Sequence, residues 1–519
     1  MSFSRRDFLL HLAATHGYAA AYGAMTALGF AIPGASAQPL RLAADSGRGR
    51  RVAVLGAGIA GLVAAYELRR AGFQPLLIEA RDRVGGRNWT LRHGDRVEFT
   101  DGTTQNVDFD EGLYFNAGPG RLPSHHQTIL GYCREFGVAL EVEVNTSRSA
   151  YAHSDSSGRV PLRRLVNDAR GTIAELLAKT TRGGALDSAL SGEDRERLLE
   201  LLRSYGDLDA GLQYRGSSRA GFRQYPGAGA QRGSVEEPLP LRTLLNPDLW
   251  LPLTFDELIG LQPTMLQPVG GMDRIPAAFA ARLKDCLQLR CEVLSIRNTE
   301  TGVDIACRDG ASAQTQNISV DYAVVTLTPP VLARVASNFA DDVVAAIASV
   351  DYQYANKIAW QAPRFWESDD HIYGGNSFVK HDATLIWYPS SGFQQPQGVL
   401  VGAYNFGAVA QRFAALPLAQ QFAASRDAVE RLHPGRGKAL TRPLAINWQR
   451  IPYSLGPWAH WASFDAPAYR RLNAPAGRVF FAGEYLSQLE GGWQEGSALS
   501  AQQAVRGIAS HAQARPAFA

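Results

Sequence analysis

One stretch constrains this chain more than any other: Arg51 to Arg87, RVAVLGAGIAGLVAAYELRRAGFQPLLIEARDRVGGR. Val52, Ala53, Val54 and Leu55 form a short apolar run, the pattern of a buried parallel strand. Gly56, Gly58 and Gly61 follow as G-x-G-x-x-G. Leu62, Ala65, Tyr66 and Leu68 then recur at helical spacing, Gly72 ends the helix, and Pro75 to Ile78 make a second strand ending at Glu79. The spacing predicts strand, turn, helix, strand. In such a unit Gly56 permits the tight turn, Gly58 lets the backbone approach a pyrophosphate, and Gly61 lets helix and strand pack closely. The helix N-terminus offers free N–H groups and a positive dipole end to phosphate. Glu79 is placed to accept from a ribose diol, and its charge disfavours a 2′-phosphate. Gly56, Ala57, Gly58, Ala60, Gly61, Glu79, Ala80 and Arg81 are therefore the expected dinucleotide contacts.

The motif runs on as Ala80-Arg81-Asp82-Arg83-Val84-Gly85-Gly86-Arg87. A nicotinamide-binding unit has no need of this second element. Gly86 gives another close backbone approach, and Arg87 adds a charged donor beside the phosphates. The whole pattern, E-A-R-x-R-x-G-G-R, resembles the flavin-containing amine oxidase superfamily, nearest to bacterial L-amino acid oxidases. The resemblance implies FAD. It also implies an α/β fold: a Rossmann-like FAD-binding domain of the glutathione-reductase and amine-oxidase type, a β-sheet substrate domain and a helical insertion.

Further segments carry the same resemblance. In Gly118-Pro119-Gly120-Arg121-Leu122-Pro123 the family's backbone lines the flavin and the arginine binds a substrate carboxylate. A planar guanidinium suits that task, because it grips a carboxylate with two parallel hydrogen bonds. Pro268-Val269-Gly270-Gly271-Met272 resembles the return to the FAD domain, and Val293, on a strand expected over 287–296, matches a valine whose backbone contacts adenine. Another buried strand is expected over 323–327. Lys357 sits in an alternating apolar pattern, where a charge is costly unless partnered; the family's lysine here holds a water near flavin N5. Trp387-Tyr388-Pro389-Ser390 and Gly398 to Tyr404 continue the match, with Tyr404 at the position of a tyrosine that joins the arginine at the carboxylate. Gly483 and Glu484 end a buried strand, and Gly492-Trp493-Gln494-Glu495-Gly496-Ser497 opens a helix. In the family Glu484 binds the ribityl and pyrophosphate region. Gly492, Gln494 and Ser497 lie by the flavin, and Trp493 is a wall of the substrate cage. No cysteine occurs over 487–492, so the FAD is expected to be non-covalent.

Between these segments 125–137 reads as a helix, 192–210 as a charged helix, and 216–237 as a loop. The pair His125 and His126 reads as two surface histidines with no role. The expected organisation is a twin-arginine signal peptide over 1–37, FAD-binding domain parts at 45–123, 265–332 and 456–519, a helical substrate-funnel region at 124–264, and a substrate-binding domain at 333–455.

The chain has 519 residues, 45% of them hydrophobic and 19% charged, which suits more than one globular domain. A net charge of +3 and no basic run with interleaved aromatics exclude a nucleic-acid partner. Cys133, Cys286, Cys291 and Cys307 lack metal-site spacing and read as buried small hydrophobes or one disulfide. Ser4-Arg5-Arg6-Asp7-Phe8-Leu9, an apolar stretch from Gly17 to Ile32, and Ala35-Ser36-Ala37 read as a twin-arginine signal with its cleavage site. That stretch is short for a stable membrane span. The expected location is periplasmic or secreted.

The expected reaction is oxidative deamination of L-amino acids to 2-oxo acids, ammonia and hydrogen peroxide with O2 as acceptor. The aromatics around the site favour bulky apolar or aromatic substrates. The sequence leaves three alternatives: an amine or polyamine oxidase, a tryptophan-2-monooxygenase-like enzyme, and a non-catalytic exported flavin carrier. A homodimer is left open, and no metal is expected.

Overall fold

The computed structural model describes residues 40–489 and 491–514. The export signal expected over 1–37 lies outside the described residues. In chain order the elements that position the site begin with β1 (Arg51–Leu55), α1 (Ile59–Arg70) and β2 (Gln74–Ile78). Next come β3 (Leu122–Pro123), α2 (Gln127–Phe136), β4 (Leu140–Glu143), β5 (Tyr151–Ser154), β6 (Gly158–Pro161), α3 (Leu162–Arg182) and α4 (Gly192–Gly206). Then follow β7 (Met265–Pro268), β8 (Leu287–Gln288), β9 (Cys291–Asn298), β10 (Tyr322–Val325), β11 (Ala355–Pro363), β12 (Gly375–Val379), β13 (Leu385–Tyr388), β14 (Gln397–Phe406), β15 (Thr441–Asn447), β16 (Val479–Phe481) and α5 (Gln494–Ala514).

Two sheets organise the molecule. The first has five strands in the order β8-β2-β1-β10-β16, all parallel. Such a sheet is covered on both faces, so its strands read as continuous apolar runs. One face packs on α1 and α5, where Ala64, Ala65, Leu68, Ala498, Ala501 and Val505 share a core with Val52 and Val54. Gly56 has φ +103°, and a Cβ on Gly61 would lie 1.8 Å from Gly56 O. The turn and the close helix approach therefore both need glycine.

The second sheet has seven strands in the order β6-β5-β12-β13-β14-β11-β15, over its own core around Trp360, Trp366 and Tyr388. Lys357 of β11 pairs in register with Tyr404 of β14, so the two side chains stand side by side on one face.

Local expectations are corrected at five places. The 124–264 stretch is not purely helical: β5 and β6 extend the seven-stranded sheet, and β4 joins β3 and β7 in a three-stranded one. The 216–237 stretch is not all loop, because Phe222–Gln224 pairs with Ser234–Val235. The helix expected to 210 stops at Gly206, because Asp207 turns left-handed with φ 55°. The strand expected over 287–296 breaks after Gln288: Arg290 has φ 55°, and the chain crosses from the five-stranded sheet into a four-stranded one. The strand expected over 323–327 runs from Tyr322 to Val325.

Candidate active site

A cavity of about 590 Å³ opens where the two sheets meet. Its first half is built on the G-x-G-x-x-G turn. At the end of β2 the buried Glu79 carboxylate accepts from Ala57 N at 2.8 Å and from Arg81 N at 3.0 Å. These bonds hold the acid beside the N-terminus of α1. That terminus has Gly58 as its cap, no side-chain cap bond, and no acid in its first turn. Its N–H groups and dipole therefore face the cavity free to take an anion.

Across the cavity Glu484 anchors the opposite wall. Its carboxylate accepts from Arg87 Nη1 at 3.0 Å, from the Tyr352 hydroxyl at 2.9 Å, and from Ala459 N at 3.2 Å and Gly492 N at 3.1 Å. Arg87 also donates to Pro457 O at 2.5 Å, and Arg81 to Pro452 O at 2.5 Å and Ser454 Oγ at 2.9 Å. Gly56, Gly58, Ala60, Ala80, Gly86, Gly118, Pro119, Gly120, Val293, Gly483, Gly492, Gln494 and Ser497 complete this part of the wall. Ala57 and Gly61, expected as contacts, do not reach it. The N–H of Ala57 is taken by Glu79, and Gly61 is pressed against the carbonyl of Gly56. An uncapped helix N-terminus, a fixed acid at the strand end and a long cleft fit a dinucleotide-type flavin.

The second half holds Arg121, Lys357, Tyr404 and Trp493. Lys357 is only 4% exposed. Its Nζ donates to Asn116 O at 3.1 Å and Gly118 O at 2.5 Å, tying β11 to the loop that leads to Arg121. Burial, with Arg121 nearby, brings its pKa down to about 7. Lys357 is thus a buried base near neutrality, not a solvent-facing edge residue.

Arg121 donates to Asn145 Oδ1 and makes no ion pair among the described residues. Its guanidinium carbon lies 4.8 Å from the centre of the Trp387 ring, 5.8 Å from Trp493 and 5.9 Å from Phe255. A Cβ on Gly120 would come within 2.7 Å of the Trp387 ring, so glycine there lets the loop lie flat on the indole. The Tyr404 ring centre lies 5.3 Å from Lys357 Nζ, and burial raises the pKa of its phenol.

The sequence reading missed several of these contributors. Asn145, Phe255 and Trp387 had no assigned role, and Glu143 was overlooked. The fold alone reveals it: Glu143 is 3% exposed while its neighbour Val142 is 55% exposed. An acid on the buried side of a strand marks a site. His126, expected at the surface, is fully buried with its ring centre 5.2 Å from that of Trp493. Docking of α2 on α5 draws it in. The buried Glu495 carboxylate of α5 accepts from Thr128 N at 2.8 Å and Ile129 N at 2.9 Å at the start of α2. All four cysteines are buried and free. No described helix is long and apolar enough to cross a membrane.

The chain is similar to proteins already known. The chain is 27% identical over 476 residues to "L-amino-acid oxidase BmooLAAO-I" of Bothrops moojeni, covering 89% of each chain. It is 27% identical over 475 residues to the L-amino-acid oxidase of Bungarus fasciatus, covering 88% of this chain and 86% of that one. Among solved structures it is similar to putrescine oxidase bound to putrescine, with TM-score 0.58, 18% identity, and coverage of 89% of this chain and 99% of that one. It is also similar to cyclohexylamine oxidase from Brevibacterium oxydans, with TM-score 0.59, 17% identity, and coverage of 90% and 100%. A profile of flavin containing amine oxidoreductases matches residues 59–509, and the chain, with its two-sheet fold and flavin-sized cleft, belongs to that family.

Proposed function

We propose that this member of the family oxidises L-amino acids, using non-covalently bound FAD and O2, to 2-oxo acids, ammonia and hydrogen peroxide. One observation carries the reading: a buried guanidinium, Arg121, lies on aromatic faces in the cavity with an amide as its hydrogen-bond partner and no ion pair. An amine without a carboxylate has no use for it. FAD, when bound, supplies the two-electron acceptor.

This chain's own residues do the rest. Arg121 pairs with the substrate carboxylate and fixes which face of the α-carbon is presented. Trp387, Trp493 and Phe255 exclude water around that pair, which strengthens it. Tyr404 adds a hydroxyl beside the same carboxylate. Lys357 Nζ, with a pKa of about 7, can hold or release a proton in the neutral range. The aromatic walls favour bulky apolar or aromatic side chains. Glu79 and Glu484 orient the groups that hold the cofactor.

The test is peroxide production by purified holoenzyme with L-amino acids, D-amino acids and simple amines, with the organic product identified. L-amino acids giving 2-oxo acids support the reading; amides with carbon dioxide, or preference for amines, overturn it. The twin-arginine pattern at Arg5 and Arg6 supports export to the periplasm or beyond. Changing both to Lys is expected to retain folded enzyme in the cytoplasm, and continued export would refute this.

A further inference from the structure

Glu143 is a buried acid that the proposed chemistry does not use. It ends β4, and Met265 of β7 faces both Glu143 and Pro123 of β3. This register sets Glu143 level with Pro123, two residues along the sheet from Arg121, the residue before β3. The side chain of Glu143 is 3% exposed. Its Oε1 accepts from Trp387 Nε1 at 3.2 Å. Its Oε2 has no hydrogen-bond partner among the described residues. The indole that donates to Glu143 is the one on which Arg121 lies. Two residues further on, Asn145 accepts from Arg121. Glu143 is therefore coupled to the guanidinium through Trp387, through Asn145 and through charge, without forming an ion pair with it.

The charged and titratable groups around this corner are Arg121 from the loop before β3, Lys357 from β11 and Tyr404 from β14. Burial pushes the Glu143 carboxyl up to about 7, while Arg121 and the indole N–H pull it back. A docking carboxylate would bring a second negative charge to Arg121 and take up its field. Two carboxylates beside one buried guanidinium disfavour double ionisation.

We propose that Glu143 is the resident counter-charge of Arg121 in the ligand-free enzyme, and that it takes up one proton from solvent when a substrate carboxylate docks. Glu143 is thus a positioning residue that makes substrate binding proton-linked. This rests on Arg121 being the carboxylate anchor. The sign follows from linkage. Glu143 is already protonated below about pH 6, so docking takes up little there. Above about pH 7 each binding event must protonate it, and carboxylate affinity falls by up to about tenfold per pH unit. Lys357 titrates in the same range and is also driven toward its charged form by a docked carboxylate, so its share must be separated.

The experiment is calorimetric titration of holoenzyme with benzoate, a carboxylate that cannot be oxidised at an α-carbon. Two buffers of different ionisation enthalpy count the protons. Wild type is expected to take up close to one proton or more per benzoate near pH 8, and little near pH 6. Glu143→Gln is expected to match wild-type affinity near pH 6, to bind about tenfold tighter near pH 8, and to lose one group's share of the uptake. Lys357→Met should remove only the remainder. Absence of uptake in wild type, or an unchanged uptake and pH profile in Glu143→Gln, overturns the proposal. Arg121→Met separates the two readings. If it leaves benzoate affinity intact, the carboxylate anchor itself is wrong. If it abolishes binding while Glu143→Gln behaves as wild type, only the role of Glu143 falls.

Discussion

Glu79 shows what a single side chain settles at this site. Its two carboxylate oxygens each accept a backbone N–H, from Ala57 and Arg81, so the acid is fixed before any cofactor arrives. Glu79→Gln keeps the size but loses the charge and one acceptor. Hydrogen bonds to a charged group contribute about 1.5–3 kcal/mol, so flavin affinity should drop roughly ten- to hundredfold. The ratio of flavin to protein absorbance in the purified variant measures this; full occupancy at limiting flavin would contradict it. Glu79 and Arg121 were legible in the sequence because each sits in or beside a glycine- or proline-marked motif, and Lys357 because it puts a charge into an alternating apolar run. Glu143 and Asn145 were not, since nothing in an alternating run of Glu and Val says which side is buried. Only the pairing of β4 with β7, more than a hundred residues away in sequence, decides that. His126 was misplaced for the same reason, because its burial depends on the bonds from Glu495 to the start of α2.

Among the elements, the unit β1-α1-β2 is set by local sequence alone. Apolar runs give the strands, glycines give the turn, and Gly61 sets the helix distance. Gly61→Ala would place a methyl 1.8 Å from Gly56 O, and neither backbone can yield. The helix must retreat from the strand, at a cost of about 1–3 kcal/mol of the kind seen in overpacked cores. A lowered melting temperature together with reduced flavin content is expected, because the same shift moves the N-terminus of α1. A variant with wild-type melting and flavin content would contradict the packing argument. Elements whose place depends on distant partners were harder to foresee. β5 and β6 lie before a long helical stretch yet pair into a sheet built mostly from residues beyond 350. The break after β8 arises because two different sheets claim the two halves of one apolar run.

At the scale of the whole molecule, two sheets with separate cores face each other across one cleft. One wall offers an uncapped helix end and fixed acids, the other a guanidinium, a lysine and aromatic rings. With no cysteine over 487–492 and every cysteine buried, acid precipitation should release the flavin into solution. Flavin remaining with the precipitated protein would contradict non-covalent binding. The central claim is that the second wall selects a carboxylate through Arg121. Arg121→Met removes one partner of a desolvated charge pair, which typically costs about 2–5 kcal/mol, or roughly 30- to 4,000-fold in kcat/KM. Arg121→Lys should recover only part of this, lacking the planar fork. The direct measurement is steady-state oxidation of a good L-amino acid and its decarboxylated amine by wild type and Arg121→Met. The account expects wild type to prefer the amino acid, and the variant to lose that activity while its rate with the amine holds or rises. Equal losses on both substrates, or a wild-type preference for the amine, would contradict it.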